Sequence, residues 1–165
     1  MAATLPSVRE QIFQGMLRAL QSVTVDNGYE LTLGYCARGD FGALDLRDRE
    51  FPAALILPIS DEPESGAYNV NRRQLVCAVR VLVKKRTGTA TELETALTAV
   101  SRAMMTNPLW GGLADTSDEG GTHYLMLDNQ YEEAGADISY IVHYRTTVWD
   151  LTMPPMNLQM TGGIP

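Results

Sequence analysis

Apolar positions recur along this chain at two periods, and the change from one to the other predicts helices and strands in alternation. Val8, Ile12, Phe13, Met16, Leu17, Leu20 and Val23 form one helical stripe, with Arg9, Gln11, Gln14, Arg18 and Gln21 falling elsewhere. Ser7-Val8-Arg9-Glu10 opens that helix as a capping box, in which Ser7 accepts a backbone N–H and Glu10 reaches back to the cap. A second stripe, Leu93, Ala96, Leu97, Val100, Ala103 and Met104, follows a second capping box, Thr91-Glu92-Leu93-Glu94. Asn107-Pro108 ends it, because the residue before proline avoids helical geometry, which gives a helix of about three to four turns.

Between and after the helices the period drops to two. After the Asn27-Gly28 turn, Tyr29, Leu31, Leu33 and Tyr35 alternate with polar or small residues and predict a first strand. Phe51 to Pro58 is a short apolar run fenced by prolines, the pattern of a buried second strand. Ser60 to Asn71 is polar and reads as a long exposed excursion. In a third strand, Arg72 to Lys85, Leu75, Cys77, Val79, Val81 and Val83 point one way and Val76, Ala78, Arg80 and Leu82 the other. A Gly111-Gly112 turn precedes a fourth strand from Tyr124 to Asn129, with Glu132 to Asp137 as its hairpin end. The last strand alternates most clearly: Ile138, Tyr140, Val142, Tyr144, Thr146 and Val148 form a core face, and Ser139, Ile141, His143, Arg145, Thr147 and Trp149 the other.

The pattern therefore predicts an α+β, two-layer domain over residues 1–149, in the order α-β-β-β-α-β-β. Two helices pack on one face of a mixed, mainly antiparallel sheet, and residues 150–165, interrupted by Pro154 and Pro155, form an extended tail that packs on a neighbouring subunit or on another partner of the assembly. With 165 residues, one core suffices. The charge of −7 opposes a grip on nucleic acid, which needs a concentrated basic surface. No apolar run is long enough to span a membrane, and Met1 to Pro6 lacks the features of an export signal, so synthesis and retention in a cytoplasm are expected.

Chemistry-bearing residues are sparse. His123 and His143 stand 20 positions apart, Cys36 and Cys77 lack ligand spacing, and no glycine-rich phosphate loop follows a strand, so neither metal nor cofactor is expected. Cys77 and the Met104-Met105 pair read as core, and Arg38-Gly39-Asp40 is too short a match to signify adhesion. A catalytic reading would have to pair His143 with Asp150 or Glu132 and has no nucleophile, so no enzyme is expected. An uncovered half-apolar sheet face and long edge strands instead call for burial by assembly.

The Val8-Arg9-Glu10-Gln11-Ile12 helix with its Asn27-Gly28-Tyr29 exit, the Phe51-Pro52 to Pro58 strand and the Arg80 to Lys85 strand carry a resemblance. So do the Glu92 to Met104 helix, the Gly111-Gly112 turn and the Ile138 to Tyr144 strand. In order and spacing the chain resembles the tail terminator, or tail completion, proteins of long-tailed bacteriophages, including the minor tail protein U type. The resemblance implies a six-membered ring of identical subunits at the head-proximal end of the tail in the virion. The ring would cap the tail tube protein, stop its polymerisation and offer a docking surface to a head-completion or neck protein, while genome DNA passes through unbound. The candidate subunit or tube contacts are Asp61, Glu62, Glu64, Arg72, Arg73, Lys84, Lys85, Arg86, His143, Arg145, Trp149, Met153 and Met156. Two other readings stand beside it: a head-closure or neck adaptor ring, and a small-ligand-binding α+β module.

Overall fold

The computed structural model describes residues 6–39, 50–64, 69–84, 89–125, 133–147 and 152. Helix α1 (Val8–Gln21) begins where Ser7 Oγ accepts the Glu10 N–H at 3.2 Å, but Glu10 turns its carboxylate to Arg38 and completes no capping box. Its apolar stripe is buried as expected, with Val8, Ile12, Phe13, Met16 and Leu20 all inside. A 3-10 turn (Val25–Asn27) ends at Gly28, whose φ of 80° needs a residue without Cβ.

The first strand falls later than the alternation suggested: β1 is Tyr35–Arg38, and residues 29–34 form no strand. Local bonds hold that segment instead. Thr32 Oγ1 accepts from the Val25 N–H at 3.0 Å, and the Leu33 N–H donates to the Val23 carbonyl at 3.0 Å, so side chain and backbone tie it to the exit of α1. Tyr29 lies under the Arg102 guanidinium, 4.0 Å from ring centre.

Strand β2 (Ala53–Glu64) continues past Pro58 into what reads as an excursion, and β3 (Val70–Lys84) runs back beside it, so most of residues 60–71 is a β-ladder. Prolines in β2 are tolerated because β1 covers only Ala53 to Ile56, and among the described residues no strand pairs with that edge beyond it. Helix α2 (Thr89–Thr106) has 18 residues, about five turns rather than three to four. Thr91 lies inside its first turn, and Glu94 receives the Tyr124 O–H at 2.6 Å, so the second capping box is not formed.

Strand β4 (Ala114–Leu125) starts directly after the glycine turn, in a polar stretch without alternation, and β5 (Glu133–Thr147) already includes residues 133–137 of the supposed hairpin end, while residues 126–129 of the expected fourth strand and Glu132 lie outside the described residues. The sheet order is β1-β2-β3-β5-β4, with β1 parallel to β2 and the other neighbours antiparallel. The fold is α+β, with both helices on one sheet face. Leu75, Cys77, Val79, Val81 and Val83 of β3 and Ile138, Tyr140, Val142 and Tyr144 of β5 meet the helical stripes there in one buried core. The C-terminal tail, apart from Thr152, lies outside the described residues. The Thr152 carbonyl accepts from Gln11 Nε2 at 3.2 Å.

Candidate functional site

The sheet surface away from the helices carries the candidate site. Register sets its membership: Arg72 lies opposite Arg145 and Glu64, Gln74 opposite His143 and Glu62, Val76 opposite Ile141 and Ser60, and Ala78 opposite Ser139 and Leu57. The middle of this face is apolar and partly covered. Ala53, Leu55 and Leu82 form a second small cluster with Tyr35, Ala37, Phe51 and Leu57, while Val76 and Ile141 remain half-buried.

Charges bound the apolar middle on two sides. At one end Arg80 holds Asp137 through two parallel bonds, Nε at 2.8 Å and Nη2 at 2.9 Å, which keeps the Arg80 guanidinium above its already high range. At the other end His143 Nδ1 lies 3.3 Å from the Glu64 carboxylate, and Arg145 donates Nε at 2.9 Å and Nη2 at 2.6 Å to Asp115. With Arg72, Thr116 and Tyr144 these residues line an open concavity of about 420 Å³. Its charges are nearly balanced, so its chemistry is recognition by matched ion pairs rather than capture of one strongly charged ligand.

The structure thus unites Glu64, Arg72, His143 and Arg145, with Glu62 exposed on the same face. Lys84 is half-buried at the opposite end of β3. Asp61 and Arg73 do not belong to this face. A bulge between Pro58 and Ser60 shifts the alternation of β2 by one residue, which turns Asp61 to the helix side opposite Leu75. There Asp61 accepts from Arg73 Nε at 3.0 Å, Arg9 Nη1 at 2.8 Å and the Tyr144 O–H at 3.0 and 3.1 Å. Burial, reinforced by the Asp61 charge, pushes the Tyr144 phenol up to about 12, so it remains an O–H donor. Lys85, Arg86, Trp149, Met153 and Met156 lie outside the described residues, as do Asp150 and Glu132 of the catalytic reading.

Sequence reasoning missed Asp115 and Thr116, whose only signal was polarity after a glycine turn. It also missed Ser7, Arg9, Tyr144 and Thr146 as a polar group, having read them as cap, solvent face and core.

Groups suited to other chemistry are muted. Burial pushes the Cys36 thiol up to about 11 and the Cys77 thiol to about 12, which leaves both poor nucleophiles. Among the described residues no three His, Cys, Asp or Glu side chains gather as a metal set. A groove of about 350 Å³ runs between the carboxyl ends of α1 and α2, floored by Gly15, Ala19 and Ala103 and walled by Arg18, Tyr29 and Trp110. Gly15 lets the Trp110 ring approach closely there, since a Cβ would come within 3.3 Å of the ring and move it by a few tenths of an ångström.

The sheet edges carry their own protection. Beyond Ile56 the edge of β2, unpaired among the described residues, holds Pro58, Pro63 and the bulge, and β4 holds two register shifts beside Asp115, Asp118 and Glu119. These features discourage another strand from pairing, so the edges do not by themselves call for assembly. In comparisons with known proteins, neither a protein-family model nor a curated protein matches the chain.

Proposed function

We propose that this protein is a structural subunit of a long-tailed phage virion. Copies of it close into a six-membered ring that caps the tail tube, ends its polymerisation and presents the surface to which a head-completion or neck protein binds. The observation that carries the reading is the unlike character of the two sheet faces. One is sealed by α1 and α2; the other sets half-buried Val76 and Ile141 between the Arg80–Asp137 pair and the Glu64–His143 and Arg145–Asp115 pairs. An apolar centre with a polar rim is the composition of a surface that meets another subunit. Protected edges favour contact through this face over extension of the sheet.

The order and spacing of the segments that resemble the tail terminators support the same reading. One side of such a ring complements the last tube ring, and the other lacks the surface that recruits a further tube subunit, so growth stops at an interface left for a different partner. A net charge of −7 suits a passage that DNA slides through without being gripped. We assign no catalytic role: His143 faces Glu64, and both thiols are held neutral.

The test is light-scattering mass across a concentration series, with negative-stain images of the same fractions, alone and with purified tail tubes. Closed rings with a central hole, on their own or at tube ends, support the reading. A monomer that ignores tubes overturns it, and a ring that binds heads but not tubes favours the neck adaptor. The groove beside Tyr29, Trp110 and Arg18 favours a second reading, a small-ligand module, for which a screen of thermal stabilisation is the measurement.

A further inference from the structure

A cavity of about 60 Å³ at the amino end of α1 plays no part in the ring reading, and it is lined by Ser7, Arg9, Asp61, Arg73, Tyr144 and Thr146. Thr146 is its odd member. The residue is 2% exposed, and among the described residues its Oγ1 is buried without a hydrogen-bond partner. Buried hydroxyls nearly always have a partner, so this one points to a ligand.

The remaining groups define the ligand's charge. Asp61 is already satisfied by Arg9, Arg73 and Tyr144, and Tyr144 spends its proton on it. Ser7 Oγ accepts from the Glu10 N–H, which leaves its own O–H to give. Arg9 spends Nη1 on Asp61, and Arg73 spends Nε and Nη2 on its carboxylate and carbonyl, so each guanidinium keeps N–H groups in reserve. Two guanidiniums against one carboxylate leave one net positive charge, and the amino end of α1 adds positive partial charge. The unspent groups are donors, and a cation would face two guanidiniums. The volume exceeds the roughly 10–15 Å³ that one water needs, yet admits little more than a single head group.

We propose that this cavity is an oxyanion site, in which one phosphate- or carboxylate-sized head group accepts from Thr146, Ser7 and the unspent edges of Arg9 and Arg73. The head group comes from a free anion or from an acidic side chain of a partner. The proposal is independent of the ring reading.

Thermal unfolding of the full chain in rising inorganic phosphate, and separately in acetate, at ionic strength held constant with chloride, tests it. The wild type should gain a saturable rise of roughly 5–10 °C at a hundredfold excess over the dissociation constant. Thr146→Val, which removes the unpaired hydroxyl at nearly constant shape, should unfold higher than wild type without anion and lose most of that rise. Arg9→Gln, at a half-exposed position, should fold normally and shift the titration to higher concentration. A rise with phosphate alone assigns a free tetrahedral anion; an equal rise with acetate assigns a carboxylate and points to a partner's side chain. No saturable rise, or an equal rise in wild type and Thr146→Val, overturns the proposal.

Discussion

Replacing Asp61 with Asn tests whether one carboxylate holds the amino end of α1 to the sheet. The Asp61 side chain is 11% exposed and receives Arg9 at 2.8 Å and Arg73 at 3.0 Å, with the Tyr144 O–H at 3.0 and 3.1 Å. Asn keeps the shape but loses the charge, and its amide N–H₂ must face Arg9 or Arg73 donor to donor. The Arg9 side chain is 48% exposed, so that pair contributes at most about 1 kcal/mol. Arg73 is 22% exposed and would stay partly desolvated without a counter-charge. Stranding one member of a fully buried pair costs about 3–5 kcal/mol, which the partial exposure here reduces to about 2–3 kcal/mol. Urea unfolding followed by circular dichroism should show that loss for Asp61→Asn with an unchanged slope, and less than about 1 kcal/mol for Arg9→Gln. Because the cost lies in a stranded cation, adding Arg73→Met should return part of it, a coupling of at least about 1 kcal/mol in the double-mutant cycle. An Asp61→Asn loss no larger than that of Arg9→Gln, or strict additivity with Arg73→Met, would refute the reasoning.

Tyr144 titrates near 12 in the folded protein against about 10 when unfolded, so the fold keeps a proton that the open chain loses. Its contribution is complete below pH 10 and disappears as pH rises through 12; Tyr144→Phe should flatten that fall in denaturation series, with Tyr140, shifted upward chiefly by burial, retaining part of it. Ser117 Oγ accepts from Trp110 Nε1 at 2.9 Å and donates to the Pro108 carbonyl, so Ser117→Ala should cost about 1–3 kcal/mol in urea unfolding, and a loss below about 0.5 kcal/mol would contradict the burial of that N–H. Replacing Pro58 and Pro63 together with Thr should leave stability within about 1 kcal/mol but increase light scattering with time, because the free edge of β2 regains donors; no added scattering would mean that the prolines do not guard it. Cys36 and Cys77 should react slowly with a disulfide reagent at pH 8 in the native state and quickly in urea.

Legibility followed burial. Strands β3 and β5 and both helices could be read because each has a face packed in the core, and packing imposes its period on residue type. Strand β4 could not be read: it is an edge strand, exposed at most of its positions, and its pairing with β5 places no apolar demand on Asp118, Gly120 or Thr122. Within the candidate face, Glu64 and Arg72 were legible only as separate contact candidates, one in an exposed excursion and one at the start of a strand, whereas their pairing across β2 and β3, and their meeting with Asp115, which is distant in sequence, depend on the ladder and on β5 lying between β3 and β4.

The clearest division falls at Asp61. Residue types alone determined that Asp61 belongs to a polar stretch between two strands, ahead of Arg72 and Arg73, and that α1 presents Val8 and Ile12 inward with Arg9 beside them. Which sheet face Asp61 occupies was decided by one bulge, because a strand's side chains alternate and a single extra residue exchanges the faces for everything after it. That shift brought Asp61 between Arg9, Arg73 and Tyr144 and enclosed Thr146 beside them, since proximity across three separate elements is a property of the packed chain and not of any segment in it.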